Sequence, residues 1–84
     1  MTVAFLSTGW EDYLYWQKSN PKMLKKINEL IMQCSRTPLD GLGKPEALKG
    51  DLSGWWSRRI DHEHRLVYKS EGHKLFILQC RRHY

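Results

Sequence analysis

The segment WWSRRIDHEHRLVYKSEGHKLFILQCRRHY, residues 55–84, decides the fold. β-Branched, aromatic and alternating residues fill three runs in it, Trp55 to Ile60, Arg65 to Lys69 and Lys74 to Arg82, which read as strands. The connections Asp61-His62-Glu63 and Ser70-Glu71-Gly72-His73 are short enough for hairpins, so the strands should run antiparallel. Successive side chains point to opposite faces of a sheet. With Phe76, Leu78 and Cys80 placed inward, Ile77, Gln79, Arg81 and His83 go outward, Arg65 opposes Leu66 and Tyr68, and any register of Trp55 to Ile60 leaves one arginine on each face. The outer face thereby collects cations, a pattern shared by plain solvated sheet faces and by anion-binding ones.

Upstream, the texture is helical. Val3 to Leu6 is a brief apolar run that ends at Ser7-Thr8-Gly9, a cluster able to stop a strand and cap a helix. Trp10, Tyr13 and Leu14 then repeat at helical spacing, with Glu11 and Asp12 expected in the first turn. Trp10 and Tyr13 are expected in the core, with Tyr15 and Trp16 covering the next helix or forming an exposed aromatic edge. Ser19-Asn20-Pro21 reads as a cap with proline at the first helical position. Leu24, Ile27, Leu30, Ile31 and Cys34 then form an apolar stripe that should end near Arg36-Thr37-Pro38, with Lys22, Lys25, Lys26 and Glu29 on the other faces. Four glycines and two prolines between Pro38 and Gly54 make that stretch a long loop, with at most a turn near Glu46 to Leu48. The order is β-α-α-β-β-β: an α+β domain over residues 1–84 with two N-terminal helices on one face of a largely antiparallel sheet.

Size and charge narrow the function. A chain of 84 residues buries only about 60 to 65% of its unfolded surface, so chemistry belongs on a surface or in a shallow cleft. The net charge is +5 and the pI about 9.4, which makes polyanions the first partners to consider. Residues 1–43 hold five basic and four acidic side chains, whereas residues 44–84 hold nine and five, so the excess lies in the second half. Cys34 and Cys80 have no metal-ligand spacing and lie in apolar stretches, as reduced core residues of a cytoplasmic protein do. No signal peptide or membrane span is visible.

The second half also holds Glu46, Lys49, Arg58, Arg59, Arg65, Arg81, His83 and Tyr84. RNA cleavage through the ribose 2′-OH needs a base for that proton, an acid for the departing 5′-oxygen and cations for the pentacoordinate phosphate. Glutamate, histidine and arginine fill these roles without cofactor or metal, because the substrate supplies its own nucleophile. His62 and His64, beside Asp61 and Glu63, have no third ligand in view and read as turn residues.

Taken together, Glu11-Asp12-Tyr13, Lys26-Ile27-Asn28-Glu29-Leu30-Ile31, Gly43-Lys44-Pro45-Glu46, Leu48-Lys49, Trp56-Ser57-Arg58-Arg59-Ile60, Glu63-His64-Arg65-Leu66-Val67-Tyr68 and Cys80-Arg81-Arg82-His83-Tyr84 resemble the YoeB toxins of the RelE superfamily over nearly the whole chain. The resemblance implies a microbial-ribonuclease-like fold and a toxin of a type II toxin-antitoxin system. It further implies an mRNA interferase that cuts messages in the ribosomal A site, inhibits translation and is neutralised by a cognate antitoxin. It makes Glu46 the general base, His83 the general acid, Arg65 the main phosphate-stabilising cation and Tyr84 an orienting residue. Lys49 and Arg59 become supporting phosphate contacts, and Arg81 is expected on the substrate side with them. Expected partners are the antitoxin, ribosomal RNA and mRNA, a second toxin copy, and operator DNA only within a toxin-antitoxin complex. Departures at the first strand, at Asp61-His62, at Ser70 to His73 and at Arg82 leave the catalytic set intact. A non-catalytic basic module for RNA or antitoxin is the competing reading, and the terminal His83-Tyr84 pair is the feature that separates the two.

Overall fold

The computed structural model describes Met1–Tyr84. Its elements are β1 (Thr2–Phe5), α1 (Ser7–Ser19), α2 (Pro21–Arg36), β2 (Glu46–Ala47), a 3-10 turn at Gly50–Leu52, β3 (Trp56–Arg59), β4 (Arg65–Glu71) and β5 (Lys74–Gln79). The strands form one sheet in the order β1-β5-β4-β3-β2, antiparallel throughout except where β1 runs parallel to β5. Two helices packed on one face of a largely antiparallel sheet are therefore present, as the hydrophobic patterning requires.

Helix α2 begins as expected. Asn20 caps it, its side chain accepting from Met23 N at 3.2 Å, and Pro21 occupies the first turn. Ile27, Leu30, Ile31 and Cys34 are buried against Leu66, Tyr68, Leu75 and Ile77 of the sheet. Tyr13 Oη donates to Asn28 Oδ1 at 2.9 Å and ties the two helices together.

Helix α1 starts earlier than expected. Ser7, Thr8 and Gly9 lie inside it, the N-cap position Leu6 supplies no side-chain bond, and Glu11 and Asp12 fall beyond the first turn. Its buried side is Gly9 and Trp16, two turns apart, while Trp10 remains 48% exposed. Gly9 explains the choice of face: a Cβ there would lie 2.5 Å from the backbone oxygen of Ile77, so α1 approaches β5 too closely for any side chain at that position. Trp16, not Trp10, thus supplies the core aromatic, and Trp10 stacks on Tyr13 at 5.9 Å.

The alternation of β5 is also the reverse of the one expected. Leu75 and Ile77 are fully buried on the helix side, while Phe76 and Leu78 are only partly buried. A bulge between Val67 and Tyr68 explains why Cys80 is inward nonetheless: Tyr68 pairs with Ile77 and Val67 with Gln79, so Leu78 is the extra residue and the phase shifts. Both cysteines are free and buried, and burial pushes the thiols up to about 11 for Cys34 and about 12 for Cys80. No helix is long and apolar enough to cross a membrane.

Candidate functional site

Glu46 lies on a two-residue edge strand, not in a loop. Gly43, at φ +82, brings the chain onto β3, where its carbonyl accepts from Arg59 N at 2.7 Å; a Cβ at that position would meet Arg58 and Arg59 at about 3 Å. Lys44 follows at φ +52, and β2 then pairs Glu46 with Ser57 and Ala47 with Trp56. The strand is too short for alternation to reveal it, since two residues make no period.

Register fixes what shares a face with Glu46. Ser57 opposes Glu46 on one side and Val67 on the other, Val67 opposes Gln79, and Arg59 opposes Arg65 one pleat further along. Cross-strand partners share a face, so Glu46, Ser57, Arg59, Arg65, Val67 and Gln79 form the side of the sheet away from the helices. Ser57 and Val67, 3% and 0% exposed, belong to no helix-side cluster and make a closed floor under the charges. Arg65 Nη1 donates to the carbonyls of Asp61 at 2.7 Å and His64 at 3.0 Å, which leaves Nε and Nη2 for an anion. Lys49 is exposed just after β2, at the start of the 3-10 turn.

The chain terminus returns to this face. Three strand spacings separate Glu46 from Gln79, about 14 Å. Beyond Gln79 the chain dips inward at Cys80, whose N–H donates to Asp12 Oδ2 at 3.1 Å and whose carbonyl accepts from Trp16 Nε1 at 2.8 Å. Arg82 then adopts a left-handed φ of +69, a conformation that costs a non-glycine residue about 1 kcal/mol or more and persists only where the surroundings hold it. Past this reversal, Tyr84 Oη accepts from Ser57 Oγ at 3.4 Å. The last residue therefore touches the direct partner of Glu46. The His83 ring sits 4.7 Å from that of Tyr84, and its Nδ1 lies 3.2 Å from the Tyr84 carbonyl.

Two arginines go elsewhere. Arg58 is fully buried beneath the sheet, where Nε donates to Tyr68 Oη, Nη1 to Leu42 O and Nη2 to the carbonyls of Thr37 and Asp40. It holds residues 37–42 against the core, with no free donor facing solvent. Arg81 lies over the Tyr15 ring at 3.5 Å, on the α1 side, and is not brought to the Glu46 face. It lies beyond the end of β5 at Gln79, where the chain bends and strand alternation no longer places it. Trp56 packs against the helix-side core, and Trp55 carries Lys69 over its ring on the opposite face. Lys69 also pairs with Glu71 at 3.3 Å.

Several supporting residues carry little sequence signal. Ser57 and Val67 are recognisable only once the β2–β3 register is known. Asp12, Trp16 and His64 act on the tail from distant positions; for Asp12 and Trp16 the only hint is their helical spacing from Gly9.

Known proteins share this arrangement. Residues 5–84 match the model of the YoeB-like toxin of bacterial type II toxin-antitoxin systems. Toxin YoeB of Streptomyces coelicolor is 57% identical over 84 residues, 100% of both chains. The YoeB/ParE toxin from Agrobacterium tumefaciens has a structure with a TM-score of 0.95 at 50% identity, again over 100% of both chains. The toxin chain of the heterotetrameric YoeB-YefM toxin-antitoxin complex from Staphylococcus aureus gives 0.92 at 47% identity, over 100% of this chain and 98% of that one. The basic, mostly antiparallel sheet and its returning C-terminus are thus those of a family, and the chain belongs to the YoeB-like toxins of bacterial type II toxin-antitoxin systems.

Proposed function

We propose that this toxin is a ribosome-dependent endoribonuclease that cuts mRNA in the ribosomal A site through the 2′-OH. The observation that carries the reading is the contact between Tyr84 and Ser57, which folds the chain terminus toward Glu46 across a face that also holds Arg59 and Arg65. In this reaction Glu46 takes the 2′-OH proton, the 2′-oxygen attacks phosphorus, and His83 gives a proton to the departing 5′-oxygen. Arg65, through its unengaged guanidinium donors, stabilises the added phosphate charge, with Lys49 and Arg59 binding the flanking phosphates. Tyr84 orients the reacting group. Arg81, held over Tyr15, takes no part in the step at phosphorus.

The base and the acid are both exposed, and the sheet face alone excludes little water. The ribosome supplies what 84 residues do not: a fixed message and a closed surface over the reacting phosphate. The chain acts in the cytoplasm, where ribosomes and mRNA are its targets. A cognate antitoxin neutralises it, as the complex of the Staphylococcus aureus relative suggests; a second toxin copy is a further partner, and operator DNA is reached only within the toxin-antitoxin complex.

The test is translation of a defined mRNA with purified protein, followed by mapping of the 3′ ends. A cut within the A-site codon that leaves a 2′,3′-cyclic or 3′ phosphate is the expected result, with Glu46→Gln slowed at least about 100-fold. Tight RNA retention without cleavage would instead favour a basic binding module.

A further inference from the structure

His64 stands outside the catalytic set, yet it makes the hydrogen bond on which the terminal reversal hangs. Its Nδ1 accepts from Arg82 N at 2.7 Å. The Arg82 carbonyl accepts from Arg65 N at 3.0 Å, so Arg82 is gripped on both sides by consecutive residues at the start of β4. His83 and Tyr84 follow directly. The imidazole is held in turn: Trp16 packs edge-on against it with centroids 4.8 Å apart and planes at 82°. Its Nε2 faces Glu63 Oε1 at 3.6 Å. Since Nδ1 accepts a hydrogen bond from the backbone N–H, the neutral ring carries its proton on Nε2, the nitrogen nearer that carboxylate.

This linkage joins the two ends of the site. Arg65 aims its guanidinium from the residue after His64, and Arg82 aims the tail from the residue before His83. The left-handed conformation is disfavoured for an arginine, so the bonds from His64 Nδ1 and Arg65 N on either side of Arg82 hold it there. We infer that His64 is a positioning residue that fixes the backbone reversal at Arg82 and so aims His83 and Tyr84 at the Glu46–Arg65 face. Its catalytic consequence rests on the ribonuclease reading above, whereas its effect on the tail does not.

The acceptor position distinguishes variants of similar size. In His64→Asn the side-chain oxygen takes the place of Nδ1, while His64→Gln carries its amide out toward Nε2 and leaves Arg82 N unpaired. The test compares the intact wild-type protein with these two variants by three measurements: Tm, the exchange rate of the Arg82 amide by NMR, and kcat and KM for cleavage of ribosome-bound mRNA. All three proteins are expected to fold. His64→Gln should exchange the Arg82 amide at least about 10-fold faster and lose about 10- to 100-fold in kcat, with KM within about threefold, because misplacement by an ångström costs rate and not binding. His64→Asn should return both readouts to within about threefold of wild type.

Equal exchange in wild type and His64→Gln would overturn the inference, as would an Asn variant as impaired as the Gln one. Faster exchange with unchanged kcat would overturn the link to catalysis. If wild type cuts no mRNA, the ribonuclease reading fails, and Arg82 exchange still decides whether His64 sets the tail.

Discussion

Arg58 Nε donates to Tyr68 Oη at 3.1 Å, and the two side chains together hold four backbone carbonyls of residues 37–42. Tyr68 Oη donates to Pro38 O, while the guanidinium satisfies the carbonyls of Thr37, Asp40 and Leu42. The cation has no carboxylate partner in this set; carbonyl dipoles take that role. Arg58→Met fills similar volume but orphans those acceptors, and the expected loss is about 3 kcal/mol by denaturant unfolding. Tyr68→Phe should lose about 1 kcal/mol. Arg58→Met as stable as wild type would show that the loop does not depend on the guanidinium.

Gly9 is the second structural test. Alanine favours helix over glycine by about 1 kcal/mol, so Gly9→Ala would stabilise α1 if space were available. A Cβ placed 2.5 Å from Ile77 O must instead push the helix off β5. We expect a net loss of about 1 to 3 kcal/mol, read as a lower denaturation midpoint with an unchanged m-value.

Legibility in the sequence follows the length of each pattern. The stripe of α2 repeats over about three turns and the helix is capped by Asn20-Pro21, and both the helix and its buried face are where periodicity places them. The alternation of β5 fails because one extra residue, Leu78, shifts the phase between Ile77 and Cys80, and a bulge leaves no local signature in an apolar run. In α1 aromatics on every side mask the true inner face, which glycine at position 9 selects through close approach. Of the proposed site, the residue types Glu46, Arg65, His83 and Tyr84 are readable as chemistry, but the position of Glu46 depends on a two-residue strand and the path of the tail on a left-handed arginine. Both are set by tertiary contacts.

Asp12 should govern a pH dependence of stability. Burial raises its carboxyl above the ordinary aspartate value, against the lowering effect of the Cys80 N–H and of Arg81 and Arg82. An acid that binds its proton more tightly when folded favours the folded state below its unfolded value, and that advantage is lost as pH rises through the raised value. The side-chain amide introduced by Asp12→Asn does not titrate and still offers an oxygen to the Cys80 N–H. This variant should therefore gain stability relative to wild type as pH rises from below the ordinary aspartate value through the raised one, measured as paired unfolding curves. A difference that stays flat, or shrinks with rising pH, would refute the assignment.

On the proposed reaction, the terminus serves catalysis and not antitoxin recognition. His83 and Tyr84 are both exposed, and the one side-chain bond from Tyr84 to the body of the fold is the long contact with Ser57. Removing both residues should thus cost at most about 2 kcal/mol of stability, since Tyr84 is only half covered, His83 is exposed and the anchors at Cys80 and Arg82 remain. If His83 is the proposed acid, its loss should nevertheless abolish growth arrest and A-site cleavage. Tyr84→Phe, which keeps the ring but not the hydroxyl that meets Ser57, should fall between the two, about 10-fold down in kcat. Antitoxin binding by the truncated protein, measured by calorimetry, should stay within about tenfold of wild type. A truncated toxin that still arrests growth would remove His83 from the mechanism. One that loses arrest and antitoxin binding together would make the tail part of the interface and not of the chemistry.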